Sequence, residues 1–171
     1  MKKISTALYI GRFQPFHLGH LDAVKQILQK CERILIVVGS AEDSYLSDNP
    51  FTVGERISMI DEALRAEKIE ASSYMILPVR NIDNYALWTA HVQMYCPYFD
   101  VVFSGSEIVR GLFESCSDKP VFGLDFNFEI SATRIRNAIK ANDSAWQKMV
   151  SQAVLKQIEK INGVERVKIC E

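Results

Sequence analysis

Two histidines, His17 and His20, stand three residues apart in the run Gly11-Arg12-Phe13-Gln14-Pro15-Phe16-His17-Leu18-Gly19-His20. At that spacing a single helical turn directs both imidazoles to one point. An imidazole donates an N–H to a phosphate oxygen, and when protonated it also offsets the phosphate's charge. Gly11 and Gly19 let backbone come close to a ligand, and the unpaired N–H groups opening a helix favour an anion. The plain alternative is a pair of surface histidines beside a capping turn. Against it, the chain has 3 histidines in all and two of them fall here. A metal pair would need a further Cys, Asp or Glu ligand on the same face, and Asp22, the one carboxylate close by, stands two residues beyond His20 and so points to another side of the helix. No residue is therefore assigned to a metal, and the chemistry expected at this turn is phosphate binding.

A second group, Ile130-Ser131-Ala132-Thr133-Arg134-Ile135-Arg136, offers two hydroxyls, the amides of a helix N-terminus and the full charge of Arg136. Together they can cradle an anion; taken alone, they read more readily as an ordinary N-capped helix with solvated arginines, and it is the pairing with the first histidine turn that favours the cradle. Gly39-Ser40 would turn the backbone out of a strand beneath a nucleotide. Arg56 borders the apolar stripe of its helix, where it either reaches a substrate phosphate or pairs on the surface with Glu55 or Asp61. Trp88 is either a core aromatic or a flat surface for a cationic ring. No cysteine lies in these segments, and no Ser-His-Asp order accompanies them. The absence of a nucleophile with an adjacent base suits direct transfer between two bound phosphorylated substrates, driven by orientation and charge stabilisation. Neither a GxxxxGK[ST] nor a GxGxxG loop is present.

Such residues must be carried by a frame, and the chain alternates short β-branched runs with amphipathic ones. Strands are expected at Ala7–Ile10, Arg33–Val38, Tyr74–Val79 and Val101–Ser104, whose near-continuous apolar character suits burial on both faces. Leu18, Leu21, Val24, Ile27 and Leu28 line one helix; Val53, Ile57, Ile60 and Leu64 line the next, opened by the T-x-x-E capping box of Thr52 and Glu55. Shorter helices are expected over Ala86–Tyr95 and Glu107–Ser115, then a β-like run at Phe126–Ile130. Ser131 caps a helix through Lys140, and one last helix runs from Ser144 with Trp146, Val150, Val154, Ile158 and Ile161 on a common face. This alternation predicts an α/β fold: a Rossmann-like, doubly wound parallel sheet with helices on both faces and a helical C-terminal part over about 131–171. Ligands of such sheets sit where strands exit into helices, which is where the residues above fall.

Composition agrees with one globular domain over residues 1–171: 48% of residues are hydrophobic and 24% charged, so disorder is excluded. No run of eighteen apolar residues could span a membrane, and the short apolar N-terminal run does not form a signal peptide. A net charge of −1 argues against nucleic acid as the partner. The scattered cysteines Cys31, Cys96, Cys116 and Cys170 suit a reduced, cytoplasmic setting.

His17-Leu18-Gly19-His20 after a first strand resembles the HxGH signature of the nucleotidylyltransferase α/β-phosphodiesterase superfamily. The longer string from Gly11 to His17 resembles its archaeal-type nicotinamide-nucleotide adenylyltransferase branch. Similarity continues through Gly39-Ser40-Ala41, Asn49-Pro50-Phe51-Thr52-Val53-Gly54-Glu55-Arg56, Ala86-Leu87-Trp88, the ISxTxxR pattern from Ile130 to Arg136, and the tail Ile161-Asn162-Gly163-Val164-Glu165-Arg166. Departures are Glu42 and Tyr45 in the second loop, Tyr85 where the branch carries an Asn, Ser106 in place of Asn, and Ala132.

The resemblance implies adenylyl transfer from ATP to the 5′-phosphate of nicotinamide mononucleotide, with NAD and pyrophosphate as products. It implies His17, His20, Arg12 and Arg136 as catalytic, with His20 on the α-phosphate. Nucleotide contacts are expected from Gly11, Phe13, Gly19, Gly39, Ser40, Arg56, Gly105, Ser131 and Thr133, and acceptor contacts from Asn84 and Trp88. Mg²⁺ is implied as a bridge between phosphates, and a homo-oligomer as the assembly. Two alternatives remain open. One is another phosphorylated acceptor (nicotinate mononucleotide, a flavin mononucleotide or phosphopantetheine); the other is a nucleotide sensor without turnover.

Overall fold

The computed structural model describes residues 4–124 and 129–170. They form two compact units interleaved along the chain, one of residues 4–11, 23–41 and 70–124 and one of residues 12–22, 42–69 and 129–170.

The first unit is built on a parallel sheet of five strands. β1 (Ile4–Gly11), β2 (Cys31–Val38), β3 (Tyr74–Pro78), β4 (Val101–Phe103) and β5 (Val121–Phe122) lie in the order β3-β2-β1-β4-β5. The order turns back beside β1, which pairs in parallel with both β2 and β4. In β1 residues Ala7–Ile10 are buried, and in β2 residues Ile34–Val38 are wholly so. Both faces of these strands are covered, which is why they read as unbroken apolar runs. On one face, Leu8, Ile10, Leu35, Val37 and Val102 pack with Val92, Phe99 and Phe113. Val92 comes from α3 (Tyr85–Tyr95) and Phe113 from α4 (Glu107–Cys116). Burying a side chain of this size contributes roughly 1.5–3 kcal/mol, so this cluster fixes the strand ends that carry the loops. Gly39 N–H donates to the Gly11 carbonyl at 3.0 Å and extends the β1–β2 ladder by one bond, bringing the two strand exits side by side.

α1 (Leu18–Lys30) takes residues from both units. The second unit holds α2 (Val53–Ala66), α5 (Ala132–Lys140), α6 (Gln152–Lys160) and α7 (Gly163–Ile169). The expected capping box opens α2: Thr52 Oγ1 accepts from Glu55 N–H at 3.3 Å, and Glu55 Oε2 accepts from Thr52 N–H at 2.9 Å. Arg166 of α7 bonds the same Glu55 oxygen, so the cap is also a tertiary anchor. Gly163, opening α7, is a close-approach glycine: a Cβ there would stand 2.9 Å from the Phe51 ring and 3.1 Å from the Ile158 carbonyl.

Several boundaries differ from expectation. β1 and β2 begin earlier than their apolar cores, because ladder pairing between Ile4 and Cys31 extends them. β5 was missed, since two residues carry no readable period. Of the β-like run at Phe126–Ile130, Phe126–Phe128 lie outside the described residues, and Glu129–Ile130 are irregular. The single helix expected from Ser144 is three pieces: a 3-10 turn over Ser144–Met149, then α6, then α7. Val150 is extended, Ser151 caps α6 through Val154 N–H, and Asn162 takes a left-handed φ of 53° after α6. Trp146, Val150, Val154 and Ile158 are nevertheless buried; their spacing continued across the breaks and concealed them.

Candidate active site

The turn that leaves β1 is held by groups remote in sequence. Phe13 is buried and takes a left-handed φ of 52°, a conformation that costs a non-glycine residue about 1–3 kcal/mol unless its surroundings impose it. The carbonyls on either side are clamped by guanidinium groups. Arg56 Nη1 donates to the Arg12 carbonyl at 2.9 Å, and Arg136 Nη1 donates to the Gln14 carbonyl at 2.9 Å. The Gln14 side chain, buried and preceding a cis proline, closes the clamp. Its Nε2 donates to the Phe51 carbonyl at 3.0 Å, and its Oε1 accepts from Phe51 N–H at 2.9 Å.

His17 caps α1, and its carbonyl accepts from His20 and Leu21 N–H groups. The rings of His17 and His20 stack with centroids 3.6 Å apart. His20 also meets Phe13 edge-on at 4.9 Å and Phe16 at 5.5 Å. Gly19 has a steric reason: a Cβ there would lie 3.2 Å from two atoms of the His17 ring. A side chain at that position would make the imidazole give way by a few tenths of an ångström. His20 Nδ1 lies 3.3 Å from His17 N–H and accepts from it, which leaves the ring proton on Nε2, a donor. His17 Nδ1 is buried with no hydrogen-bond partner among the described residues.

Burial lowers the His17 pKa to about 4. Burial, and then the proximity of His17, holds His20 well below its ordinary value. At neutral pH both rings are therefore uncharged. They act as N–H donors without the cationic contribution that an ordinary histidine pKa would allow, so positive charge at the turn comes from arginine.

Ser131 Oγ caps α5 by accepting from Arg134 N–H at 3.1 Å, and Arg134 is spent on the Glu129 carbonyl. Arg136 is buried, with Nη2 3.4 Å from Thr133 Oγ1. The Ile130 carbonyl, just before Ser131, lies 4.0 Å from the Cβ position of Gly19. The first turn and the segment from Ile130 to Arg136 are thus joined by the Arg136–Gln14 hydrogen bond and lie close at Gly19. Arg12 is exposed and pairs with Asp48 at 2.7 Å. Arg56 is fully buried and does not take the surface pairing with Glu55 or Asp61, which go to Arg166 and Arg65. Burial lowers its pKa to about 10, so it remains a cation.

Arg12, Phe13, His17, Gly19, His20, Arg56, Ser131, Thr133 and Arg136 all belong to the second unit; Gly11, Gly39, Ser40, Asn84, Trp88 and Gly105 belong to the first. The turn after β2 is made differently from expectation. Gly39 has no positive φ, and Ser40 takes the left-handed conformation at 47°. Asn84 caps α3, its Oδ1 accepting from Ala86 N–H at 3.1 Å. Trp88 is half-buried against Phe113, with Nε1 donating to Asn81 Oδ1 at 3.2 Å. Gly105 is exposed between β4 and α4. Gln14, Asp48 and Phe51 were not anticipated. Gln14 had one signal, a lone amide within an aromatic run, whereas Asp48 in a polar loop had none.

Residues 8–138 match the model of the cytidylyltransferase-like family. This chain belongs to that family. Within it, the chain is 39% identical over 166 residues to the nicotinamide-nucleotide adenylyltransferase of Caldivirga maquilingensis, covering 95% of this chain and 92% of the relative. It is 38% identical over 166 residues to the enzyme of the same name from Archaeoglobus fulgidus, covering 95% of each. The fold is similar to that of a bifunctional NMN adenylyltransferase/ADP ribose pyrophosphatase from Francisella tularensis, with a TM-score of 0.70 at 20% identity. That alignment covers 94% of this chain and 54% of the longer protein. Among the described residues, no helix is long and apolar enough to cross a membrane.

Proposed function

We propose that this chain is a nicotinamide-nucleotide adenylyltransferase that joins AMP from ATP to nicotinamide mononucleotide. An oxygen of the mononucleotide 5′-phosphate attacks the α-phosphorus of ATP in line. The bond from that phosphorus to the β-bridging oxygen breaks, and pyrophosphate leaves as NAD forms. The observation that carries this reading is the stacked His17–His20 pair on a turn that Arg136 clamps from the second expected phosphate-binding pattern. The names of the relatives at 39% identity supply the acceptor.

His20 presents Nε2–H to the α-phosphate, where charge develops on the equatorial oxygens, and an uncharged donor stabilises that charge without a proton being transferred. His17 offers a ring N–H to the triphosphate. Arg136 uses one N–H on Gln14 and one on Thr133 and keeps the rest of its donors for the departing β- and γ-phosphates. Arg12, once free of Asp48, adds the second guanidinium. Arg56 serves this chemistry from behind, by holding the Arg12 backbone. Orientation of two bound anions supplies most of the acceleration.

Mg²⁺ fits this donor set as a companion of the nucleotide. Among the described residues no group of three or more His, Cys, Asp or Glu is placed to hold a metal ion, and the Asp48 carboxylate is engaged by Arg12. The phosphates themselves would be its ligands, as is usual for Mg²⁺, and when bound it neutralises charge on them.

Trp88 and Asn84 are assigned to the pyridine ring. Asn84 Oδ1 accepts the α3 cap bond, and its NH₂ is a donor that suits a carboxamide oxygen and a carboxylate oxygen alike. That donor supports nicotinate mononucleotide as a second acceptor. A cytoplasmic homo-oligomer is the setting we infer for the enzyme. The test is pyrophosphate release from Mg-ATP with nicotinamide mononucleotide, nicotinate mononucleotide, flavin mononucleotide and phosphopantetheine in turn. Release with the first, together with a loss of at least 100-fold in single-turnover rate for His20→Ala, is expected. Release with none of them, or an unchanged His20→Ala rate, overturns the reading.

A further inference from the structure

The loop between β2 and α2 carries three carboxylates, Glu42, Asp43 and Asp48, that adenylyl transfer as described above does not employ. Asp48 is held in place. Its Oδ2 lies 2.7 Å from Arg12 Nη1, and its Oδ1 accepts from the Asn49 side chain at 3.3 Å. Leu46 and Asn49 exchange backbone hydrogen bonds of 3.3 and 3.1 Å, closing the turn on which Asp48 sits. Two contacts tie that turn to the helices of its own unit: Lys140 Nζ donates to Ser47 Oγ at 2.9 Å, and the Arg166 guanidinium lies over the Tyr45 ring at 4.7 Å.

The field around Asp48 is that of the anion site. Its carboxyl is held below the usual range first by the hydrogen bond from Arg12, against the opposing effect of burial, with a further contribution from Arg136. Glu42 and Asp43 in turn favour the charged form of Arg56. The loop therefore sets carboxylates against the arginines of the first turn, and a carboxylate oxygen offers a guanidinium the same charge and acceptor geometry as a phosphate oxygen.

We propose that Asp48 sets the ATP affinity of this site by occupying Arg12 as an internal substitute for phosphate. Nucleotide binding then exchanges the Arg12–Asp48 pair for an Arg12–phosphate pair. The inference rests on the reading of Arg12 as a polyphosphate ligand. Exchange is feasible because the pair is open to water, with side-chain exposures of 51% and 56%. Pairs this exposed shift an equilibrium by only about two- to fivefold. Apparent affinity is reduced by the fraction of molecules in which Arg12 is still engaged, so removing the carboxylate should return a gain of that size. The opposite role, in which Asp48 aims Arg12 at the phosphates, predicts a loss.

The experiment is a calorimetric titration of Mg-ATP, and separately of tripolyphosphate, into the wild type, Asp48→Asn, Arg12→Ala and the double variant at low ionic strength. Asp48→Asn is expected to tighten both ligands about two- to fivefold, with the gain shrinking as salt is raised. In the Arg12→Ala background the gain should disappear. Asp48→Ala repeats the measurement without an amide that could replace the lost hydrogen bond, and thermal melting of each variant reports folding. Unchanged or weaker binding, or an equal gain in both backgrounds, overturns the proposal. The titration needs no turnover: if no mononucleotide releases pyrophosphate, the proposed function fails while the role of Asp48 is still decided.

Discussion

Gln14 carries the shape of the first turn on two hydrogen bonds, and Gln14→Glu breaks one of them while leaving size almost unchanged. The side chain is 1% exposed, donating to the Phe51 carbonyl at 3.0 Å and accepting from Phe51 N–H at 2.9 Å. An ionised carboxylate keeps the second bond but sets an oxygen against the Phe51 carbonyl, which loses its donor. One neutral bond is worth about 1 kcal/mol, and a buried carbonyl left unpaired costs a further ~1–3 kcal/mol. About 3 kcal/mol is therefore expected at pH 8.5. Protonation restores the missing donor, so the introduced carboxyl has a folded pKa above its unfolded ~4.3. At about 1.4 kcal/mol per pH step, a penalty of that size puts the folded value near ~6.5. Raised in the folded state, the group stabilises fully below ~4.3, and that stability is lost as pH rises through ~6.5. Urea unfolding from pH 4.5 to 8.5, taken as the difference from wild type, should show a deficit that opens over this window. Gln14→Leu, which strands both Phe51 groups, should lose about 2–5 kcal/mol at every pH. The clamp is refuted if Gln14→Glu stays within ~1 kcal/mol of wild type at pH 8.5, or if its deficit parallels that of Gln14→Leu throughout.

The histidine pair should make the wild type sensitive to acid. His17 is lowered from 6.5 to about 4 by burial, so its contribution is complete above 6.5 and is lost as pH falls from 6.5 towards 4, a loss of about 3 kcal/mol at most; urea unfolding of wild type and His17→Ala over that range should show a flatter profile for the variant. Gly163→Ala should destabilise by about 1–3 kcal/mol through the Phe51 and Ile158 contacts. Gly54→Ala in α2, where a Cβ would meet nothing within 4 Å, should be neutral or gain up to ~1 kcal/mol; thermal melts compare the two.

The frame of this protein was legible because each piece of it is encoded by near neighbours. β1 and β2 announced themselves as apolar runs covered on both faces, Thr52 and Glu55 announced the start of α2, and Ser131 announced α5. The arrangement of the first turn was legible for the same reason, since His17, Gly19 and His20 lie within one turn and the tight contact between Gly19 and the His17 ring spans two residues. The breaks around α6 were not, because a buried stripe keeps its spacing whether the backbone beneath it is one helix or three pieces. Tertiary structure alone decided what holds the turn and how it is charged. Gln14 finds Phe51 across 37 residues, Arg12 finds Asp48 across 36, and Arg136 reaches Gln14 across 122. Arg56, at the border of an apolar stripe where a surface pairing and an inward reach read alike, is fully buried and holds backbone. The neutrality of the two imidazoles belongs to the same class, for desolvation depends on what the fold lays over a side chain, and that covering comes from segments with no sequence proximity to it.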